Sequence, residues 1–177
     1  MTATNWEPCR SSGIVDHDGV LVHHACMIHG DHPGLVGRKM TDLIIRLDDG
    51  RTVEECLEQA RREPVRIRRG WACTGCHSVL WEPLADTGMI VMYGYGLPDV
   101  VETLTAGELD ILLRLAGLES IAEVARATGR TESTIRTHLG RVSNKLQIPG
   151  ARLPQWSDRV LRGIQLLDQF YASRTKT

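Results

Sequence analysis

One short stretch of the 177-residue chain combines residue types and a spacing that could do chemistry. Cys73, Cys76 and His77 form a C-x-x-C-H sequence, and a turn of this kind can direct two thiolates at a single metal ion. Cys26 and His29 lie in a dense run of histidines that could complete the ligand set. The candidate metal ligands are therefore Cys73, Cys76, Cys26 and His29, and the group they would hold is zinc or an iron–sulfur cluster.

The same motif allows other interpretations. A C-x-x-C pair can cycle between dithiol and disulfide, either as a redox sensor or as a cytosolic thiol oxidoreductase. C-x-x-C-H also matches a c-type haem attachment site. Alternatively, the three residues could lie in a turn and have no chemical role. A thioredoxin-type motif begins a helix after a strand, whereas strand-like sequences lie on both sides of Cys73 and Cys76. No other set of catalytic residues or phosphate-binding glycine loop is present, so we predict that the chain is not an enzyme.

Residues 104–148 predict three helices, because each of three segments begins with a capping signal. Two of them open with an S/T-x-x-E capping box, Thr105 with Glu108 and Ser120 with Glu123. Gly129 ends the second helix, where a residue without Cβ can take positive φ, and Thr131 caps the third. Apolar residues at helical spacing follow each start, so each helix is expected to bury one face.

The third of these helices is predicted to have a buried and an exposed face. Its apolar residues recur at i, i+4, i+7 and i+11, namely Ile135, Leu139, Val142 and Leu146. The opposite face carries small and basic residues and no acid after Glu132, as a surface that docks on DNA should. A short helix, a glycine turn and a longer amphipathic helix make a helix-turn-helix, whose second helix lies in the major groove.

The motifs of this segment resemble the helix-turn-helix of LuxR/FixJ-type transcription regulators. The matching letters are L-T-x-x-E, E-V-A, T-x-x-T-I-R-T-H-L and R-V-x-x-K-L. The resemblance implies DNA contacts by residues of the T-[VI]-[KR]-x-H segment and by residues one helical turn later. Carried over to this sequence, the DNA-binding residues are Thr134, Arg136, Thr137 and Arg141, with Lys145 at the periphery.

Two positions and one motif refine this resemblance. Gly140 stands where relatives often have a lysine, so one contact with DNA would be missing. His138 matches a structural histidine of the family and is given no catalytic role. The L-T-x-x-E opening is shared with region 4 of sigma factors, so a regulator that acts on RNA polymerase is an alternative.

Length and charge divide the chain into two parts. The net charge is −1, but residues 1–103 hold 10 Lys and Arg against 15 Asp and Glu, whereas residues 104–177 hold 11 against 7. An acidic part joined to a basic part indicates a sensor joined to a DNA-binding module. We therefore predict an α+β sensor or regulatory domain over residues 1–100 and an all-α, tri- or tetrahelical helix-turn-helix domain over residues 101–177.

The N-terminal part predicts a sheet with helices inserted between its strands. Two short strands flank an Asp-His-Asp-Gly turn, two segments look helical, and three strands follow; the segments are residues 13–28, 35–44, 52–62, 65–72, 77–84 and 88–96. This order, with the phrases IVDHDG and LVGRKMTDLI, resembles a PAS domain. The resemblance implies an antiparallel five-stranded sheet with helices across one face, often around a ligand. A GAF-like or unclassified α+β sensor is the alternative.

The last segment predicts one more helix over residues 156–171, with Ser157 as its cap. Its apolar stripe either covers the module's own core or forms a dimer contact, because palindromic operators require two-fold protein pairs. No apolar run could span a bilayer and the N-terminus lacks a signal-peptide core, so we expect a cytoplasmic protein that does not bind membranes. Its five cysteines should then be reduced or bound to a ligand.

These observations predict a transcriptional regulator that binds double-stranded DNA as a homodimer, with RNA polymerase as a candidate further partner. Its N-terminal domain would sense a ligand, a metal or a redox state and control the helix-turn-helix. The sensed signal, the operator sequence and the choice between activation and repression have no counterpart in the sequence.

Overall fold

The computed structural model describes residues 9–27, 34–117 and 120–175. The described chain divides into two compact units. One, called here the sheet unit, contains the chain up to Leu97 and the residues from Leu166 onward; the other, called the helical unit, runs from Pro98 to Gln165. The domain limits at residues 1–100 and 101–177 stay a prediction.

The sheet unit is an antiparallel sheet with two short helices inserted in the chain between its strands. Its elements are β1 (Arg10–Val15), β2 (Leu21–Cys26), α1 (Met40–Leu43), β3 (Ile44–Leu47), α2 (Val53–Ala60), β4 (Val65–Ala72), β5 (Gly75–Leu84) and β6 (Met89–Leu97). The strand order is β2-β1-β6-β5-β4-β3, and every neighbouring pair is antiparallel. The α+β class is as predicted and is consistent with a PAS-like domain, although the sheet has six strands instead of five.

The core of the sheet unit lies on one face of the sheet. Side chains alternate between faces along a strand, so Val65 and Ile67 of β4 enter the core while Arg66 and Arg68 point to the other face. Helices α1 and α2 add Met40, Leu43, Val53, Cys56, Leu57 and Ala60 to the same core. A capping box of Thr52 and Glu55 is present at the start of α2. Cys56 is fully buried, as expected for a small apolar side chain, and burial raises the pKa of its thiol.

The prediction of one helix over residues 35–44 was wrong. Only Met40–Leu43 is helical, and the chain then enters β3, which pairs with β4. Ile44 and Ile45 are β-branched and favour an extended backbone, and pairing with β4 gives their peptide groups partners. Arg46 of β3 stacks on Trp71 of β4, with its guanidinium carbon 3.6 Å from the ring centroid.

The helical unit contains α3 (Ala106–Ala116), α4 (Ile121–Thr128), α5 (Glu132–Leu146) and most of α6 (Leu153–Arg174), with short 3₁₀ turns at Asp99–Thr103 and Gly150–Arg152. The three predicted helices therefore begin where their capping residues placed them. Both capping boxes are formed, and Thr131 accepts the amide of Thr134. Gly129 has φ of 64°, the left-handed conformation that ends α4.

The start of the last helix differs from the prediction. α6 begins at Leu153, so Ser157 lies inside the helix and is completely buried. Pro154 explains the earlier start, because proline is compatible with the first turn of a helix, where its missing N–H has no intrahelical acceptor. The helix continues to Arg174, and its residues from Leu166 onward belong to the sheet unit.

Candidate nucleic-acid interface and internal cavity

The three helices α3, α4 and α5 share a small apolar core that fixes the position of α5. Its fully or nearly fully buried members are Ile111, Leu115, Val124, Ala125 and Ile135. The turn between α4 and α5 is held by Arg130, whose amide donates to the carbonyl of Ala125 at 2.9 Å. One face of α5 is therefore held by apolar contacts and the turn is fixed by backbone bonds, which leaves the other face of α5 as a rigid surface.

The exposed face of α5 carries four of the residues predicted to bind DNA. Thr134, Arg136, Thr137 and Arg141 are all exposed, whereas Ile135, Val142 and Leu146 of the same helix are buried. Gly140 lies on the exposed face, and a Cβ built there would have no other atom within 4 Å. The sequence periodicity therefore separated the two faces of this helix correctly.

Hydrogen bonds within α5 and its cap hold several of these exposed side chains. Arg136 forms an i,i+4 ion pair with Glu132, at 3.3 Å between Nη2 and Oε2. The hydroxyls of Thr131 and Thr134 lie 2.9 Å apart, and Thr137 donates its hydroxyl to the carbonyl of Ser133 at 3.0 Å. An exposed pair such as Glu132–Arg136 contributes only about 0.3–0.5 kcal/mol, so Arg136 can leave it for a phosphate at little cost.

Lys145 is placed differently from the other predicted DNA-binding residues. Its ammonium donates to Glu108 Oε2 at 2.7 Å and to the carbonyl of Thr103 at 3.0 Å. The Glu108 side chain is 4% exposed and also accepts the amide of Thr105 within the capping box. Burial, which alone would raise the pKa of Glu108, is outweighed by the hydrogen bonds from Lys145 and Thr105, and the pKa is lowered. Lys145 therefore fastens α5 to the start of α3.

Two residues near the α4–α5 turn form a contact that sequence reasoning did not foresee. Arg130 Nη1 lies 3.3 Å from Nε2 of His138, and the Nδ1 of His138 is buried without a hydrogen-bond partner in the described part of the chain. His138 thus packs in the unit and joins the turn to the middle of α5. The helical periodicity of α5 did not predict this contact, because Arg130 lies before the helix begins at Glu132.

The predicted metal ligands are not gathered into one site in the described ranges. Within residues 9–27, 34–117 and 120–175, no group of three or more His, Cys, Asp or Glu side chains is arranged to hold an ion. Cys73 is exposed in the turn between β4 and β5, and Cys76 is buried on β5. His29 lies outside the described residues. Cys26 is joined to Cys9 in a disulfide.

The disulfide corrects the expectation that all five cysteines are reduced or ligand-bound. Cys26 pairs with Ser11 in the β1–β2 register, so Cys9 lies diagonally across from it. The two Cα atoms are 6.7 Å apart, within the range that a disulfide spans. Strand pairing brings the two cysteines together across 17 residues of sequence, a closeness that their spacing does not reveal.

The sheet unit contains a partly open cavity of about 70 Å³ between the sheet and α1. Most of its lining is apolar, and a few polar side chains from three strands and one turn reach it: Ser11 of β1, His24 of β2, Thr74 in the β4–β5 turn and His77 of β5. Two glycines within strands, Gly70 and Gly94, also line it, and each allows a neighbouring side chain to approach its backbone closely. A Cβ on Gly94 would overlap the hydroxyl oxygen of Ser11. Glycine inside a strand often marks such a close approach.

One of the cavity imidazoles has a lowered pKa. Burial lowers the pKa of His77, a nearby His24 lowers it further, and hydrogen bonding with Thr74 opposes the shift only partly. The Thr74 hydroxyl lies 2.9 Å from Nε2 of His77. A neutral imidazole offers one donor and one acceptor, so this end of the cavity can bind a polar but uncharged group.

None of the helices in the described residues combines the length and the apolar content needed to cross a membrane.

No protein-family model matches the chain, and no curated protein matches it. Three solved structures of VqmA show limited similarity. The dimer of the Vibrio cholerae protein without its target DNA, a LuxR-type receptor, is 16% identical, with 85% of this chain and 82% of that chain covered and a TM-score of 0.35.

The other two VqmA structures give similar figures. VqmA bound to DPO is 18% identical over 87% of this chain and 82% of that chain, with a TM-score of 0.33. The phage VqmA–DPO complex is 20% identical over 84% and 82%, with a TM-score of 0.29. TM-scores of this size do not establish a common fold, so the function is inferred below from the residues of this chain alone.

Proposed function

We propose that this protein is a DNA-binding transcriptional regulator in which α4, the Gly129 turn and α5 form a helix-turn-helix. The observation that carries the proposal is the exposed face of α5. That face combines two arginines, two threonines and an open position at Gly140, and it carries no carboxylate after Glu132. A helix of this composition, held from behind by an apolar core, fits the major groove of duplex DNA.

The residues of this face take different roles in the proposed complex. Arg136 and Arg141 neutralise phosphates or make bidentate contacts with guanine, which a planar guanidinium matches in geometry. Thr134 and Thr137 contact phosphates or thymine methyl groups. Lys145 contributes less, because binding a phosphate would take its ammonium away from the buried carboxylate of Glu108.

We further propose that the sheet unit senses a small molecule in the cavity. The lining is mostly apolar with a few hydroxyl and imidazole groups, and none of the described residues that line it is a carboxylate, lysine or arginine. An uncharged, compact and mainly apolar compound with one or two hydrogen-bonding groups would fit this lining. The described residues offer less support for a metal signal, since Cys26 is bonded to Cys9.

One feature of the molecule favours regulation over enzyme chemistry. Cys73 and Cys76 lie at a strand-to-strand turn, away from any helix start that would lower a thiol pKa. Reading a palindromic operator requires two copies related by a two-fold axis, so we propose that the protein acts as a homodimer. If the regulator is an activator, RNA polymerase is its second partner, and such a role belongs to the cytoplasm.

The experiment that tests DNA binding is the salt dependence of affinity for a fluorescein-labelled duplex of mixed sequence, followed by anisotropy. Neutralising phosphates gives a slope of log K against log salt of about −0.9 per contact. Arg136→Ala and Arg141→Ala should each weaken binding and make the slope shallower by about 0.9. Arg62→Ala removes an exposed arginine that lies two residues after α2 and also pairs with a glutamate, and it serves as the matched control.

A duplex affinity that is weak and insensitive to salt would overturn this proposal. Equal losses in Arg136→Ala, Arg141→Ala and Arg62→Ala would also contradict it, since they would indicate a response to net charge alone. If the chain failed to bind DNA but bound RNA polymerase through α3–α5, the alternative of a sigma-region-4-like regulator would replace it.

A further inference from the structure

The last turns of α6 are fastened to the sheet unit. We call Leu166–Arg174 the docking segment. Asp168 of this segment pairs with Arg66 of β4 at 2.8 Å and with Arg68 of the same strand at 3.2 Å. Arg174 pairs with Glu82 of β5 at 3.3 Å, and the ring of Phe170 lies 6.1 Å from that of Tyr93 on β6, edge to face. The docking segment therefore lies on the sheet face opposite the core.

Arg66 is the centre of this contact. Its side chain is 7% exposed, so its guanidinium must satisfy its donors inside the protein. It donates to Asp168, to the carbonyl of Val79 at 2.9 Å, to the hydroxyl of Ser78 at 2.8 Å and to the carbonyl of Ile67. Asp168 is thus the carboxylate that compensates a buried charge.

Two of the groups that accept hydrogen bonds from Arg66 belong to β5, a strand that also lines the cavity. Ser78 points to the docking segment, whereas the neighbouring residues His77 and Val79 point to the other face and line the cavity. The carbonyl of Val79 accepts from Arg66 while its side chain contacts the cavity space. Any shift of β5 caused by filling or emptying the cavity therefore moves two of the groups that hold Arg66.

The beginning of the same helix is fixed in the helical unit. Trp156, Val160, Leu161 and Ile164 are buried, and Gln165 donates its side-chain amide to the carbonyl of Leu113 on α3 at 2.7 Å. Helix α6 is continuous from Leu153 to Arg174, and its residues up to Gln165 belong to the helical unit whereas the docking segment belongs to the sheet unit. A helix transmits a displacement along its axis because its backbone is hydrogen-bonded throughout.

We propose that the Arg66–Asp168 contact is the regulatory latch of this protein. Filling or emptying the cavity shifts Val79 and Ser78, and this shift strengthens or weakens the ion pair of Arg66 with Asp168. Helix α6 then transmits the change to the helix-turn-helix. The effect of the latch on DNA affinity rests on the proposed function, whereas the Arg66–Asp168 contact itself does not.

Hydrogen exchange of the full chain, measured by mass spectrometry, tests the latch without knowledge of the ligand. Asp168→Asn removes the compensating charge and should raise exchange of the docking segment about tenfold. Asp158→Asn is the matched control, because it makes the same change on the same helix outside the docking segment. Asp168→Glu keeps the charge and should restore most of the protection.

A second pair of variants tests the link to the cavity. Val79→Ala empties space behind β5 and should raise exchange of the docking segment, whereas Val53→Ala removes the same atoms from the same core at α2 and should not. In the Asp168→Asn background the effect of Val79→Ala on this segment should vanish, because the latch is already open.

The labelled duplex used above supplies the functional readout. We expect Asp168→Asn to weaken duplex binding several-fold, because loss of this contact loosens α6, whose first turns pack in the helical unit. Unchanged exchange in Asp168→Asn, or equal responses to Val79→Ala and Val53→Ala, would overturn the latch. Changed exchange with unchanged duplex affinity would overturn its regulatory role. Absence of duplex binding by the wild-type chain would count against the proposed function, and exchange would still decide the structural latch.

Discussion

Glu108 shows how one side chain can serve both local structure and tertiary packing. Its carboxylate closes the capping box at the start of α3 and, from there, accepts the ammonium of Lys145 at the end of α5. The capping role follows from a four-residue motif, whereas the ion pair joins residues 37 positions apart. The contact also explains why Lys145 is a weaker candidate for DNA than the arginines of the same helix.

Replacing Glu108 with glutamine should destabilise the helical unit by about 1–3 kcal/mol at pH 7, because Lys145 loses its charged partner and the cap is weakened. Since the pKa of Glu108 is lowered from its ordinary value of 4.5, its contribution is present above that pH and is lost as pH falls through the folded-state pKa. The difference between wild type and Glu108→Gln should therefore shrink in acid. Urea unfolding followed by far-ultraviolet circular dichroism, which reports on the helices, measures it; a constant difference from pH 7 to pH 3 would contradict it.

Gly140 is the position where a single substitution should strengthen DNA binding. It is exposed on α5, and a side chain there meets no other atom within 4 Å. Gly140→Lys should raise duplex affinity and steepen the salt slope by about 0.9, one phosphate contact. Gly140→Ala is the control: it should stabilise α5 by about 0.5–1 kcal/mol and leave the slope unchanged. Equal slopes for the two variants would place DNA away from this face.

At the scale of elements, the cavity depends on glycine at the centre of a strand. Gly94 of β6 pairs with both Ser11 of β1 and Val79 of β5, and its missing side chain leaves room for the Ser11 hydroxyl, which lines the cavity. The sequence carried this signal in Y-G-Y-G and R-R-G-W, where glycine interrupts otherwise β-prone residues. The signal indicates a close approach, but it does not say whether a ligand or a backbone occupies the space.

Gly94→Ala should destabilise the sheet unit by about 0.5–1.5 kcal/mol, because the new methyl group overlaps the Ser11 hydroxyl and forces it out of its present rotamer. Ser11→Ala removes that oxygen, and the Cβ of residue 11 lies 3.8 Å from the new methyl, so the double variant should recover most of the loss. Thermal unfolding of the wild type, the two single variants and the double variant forms the test cycle. Additive losses would mean that the clash is not with Ser11.

At the scale of the whole molecule, the reactivity of the five cysteines with a thiol reagent tests the fold. Cys9 and Cys26 are bonded, Cys73 is exposed, and Cys56 and Cys76 are buried. Titration of unreduced protein with a thiol reagent should therefore detect one fast thiol in the native state and three after denaturation. Reduction before denaturation should raise the total to five. Slow labelling of Cys73 that a chelator accelerates would instead restore the metal interpretation of the C-x-x-C-H motif.

Local signals determined much of this protein from the sequence alone. Capping boxes, the Gly129 turn and the 3.6-residue period located α3, α4 and α5 and separated the two faces of α5, because each of these features is decided within a few residues. Alternating patterns located five of the six strands. The assignment of Thr134, Arg136, Thr137 and Arg141 to DNA stays a prediction that their exposure on one face supports.

The tertiary structure decided what depends on distant partners. Ile44–Leu47 became a strand because β4 supplied its hydrogen bonds, and the disulfide between Cys9 and Cys26 followed from the β1–β2 register. Neither the Lys145–Glu108 pair nor the hold of Arg66 on Asp168, 102 residues away, has a signature in the sequence. Each needs two chain segments to be brought together, and the free energy of such a contact depends on the burial that only the folded chain provides.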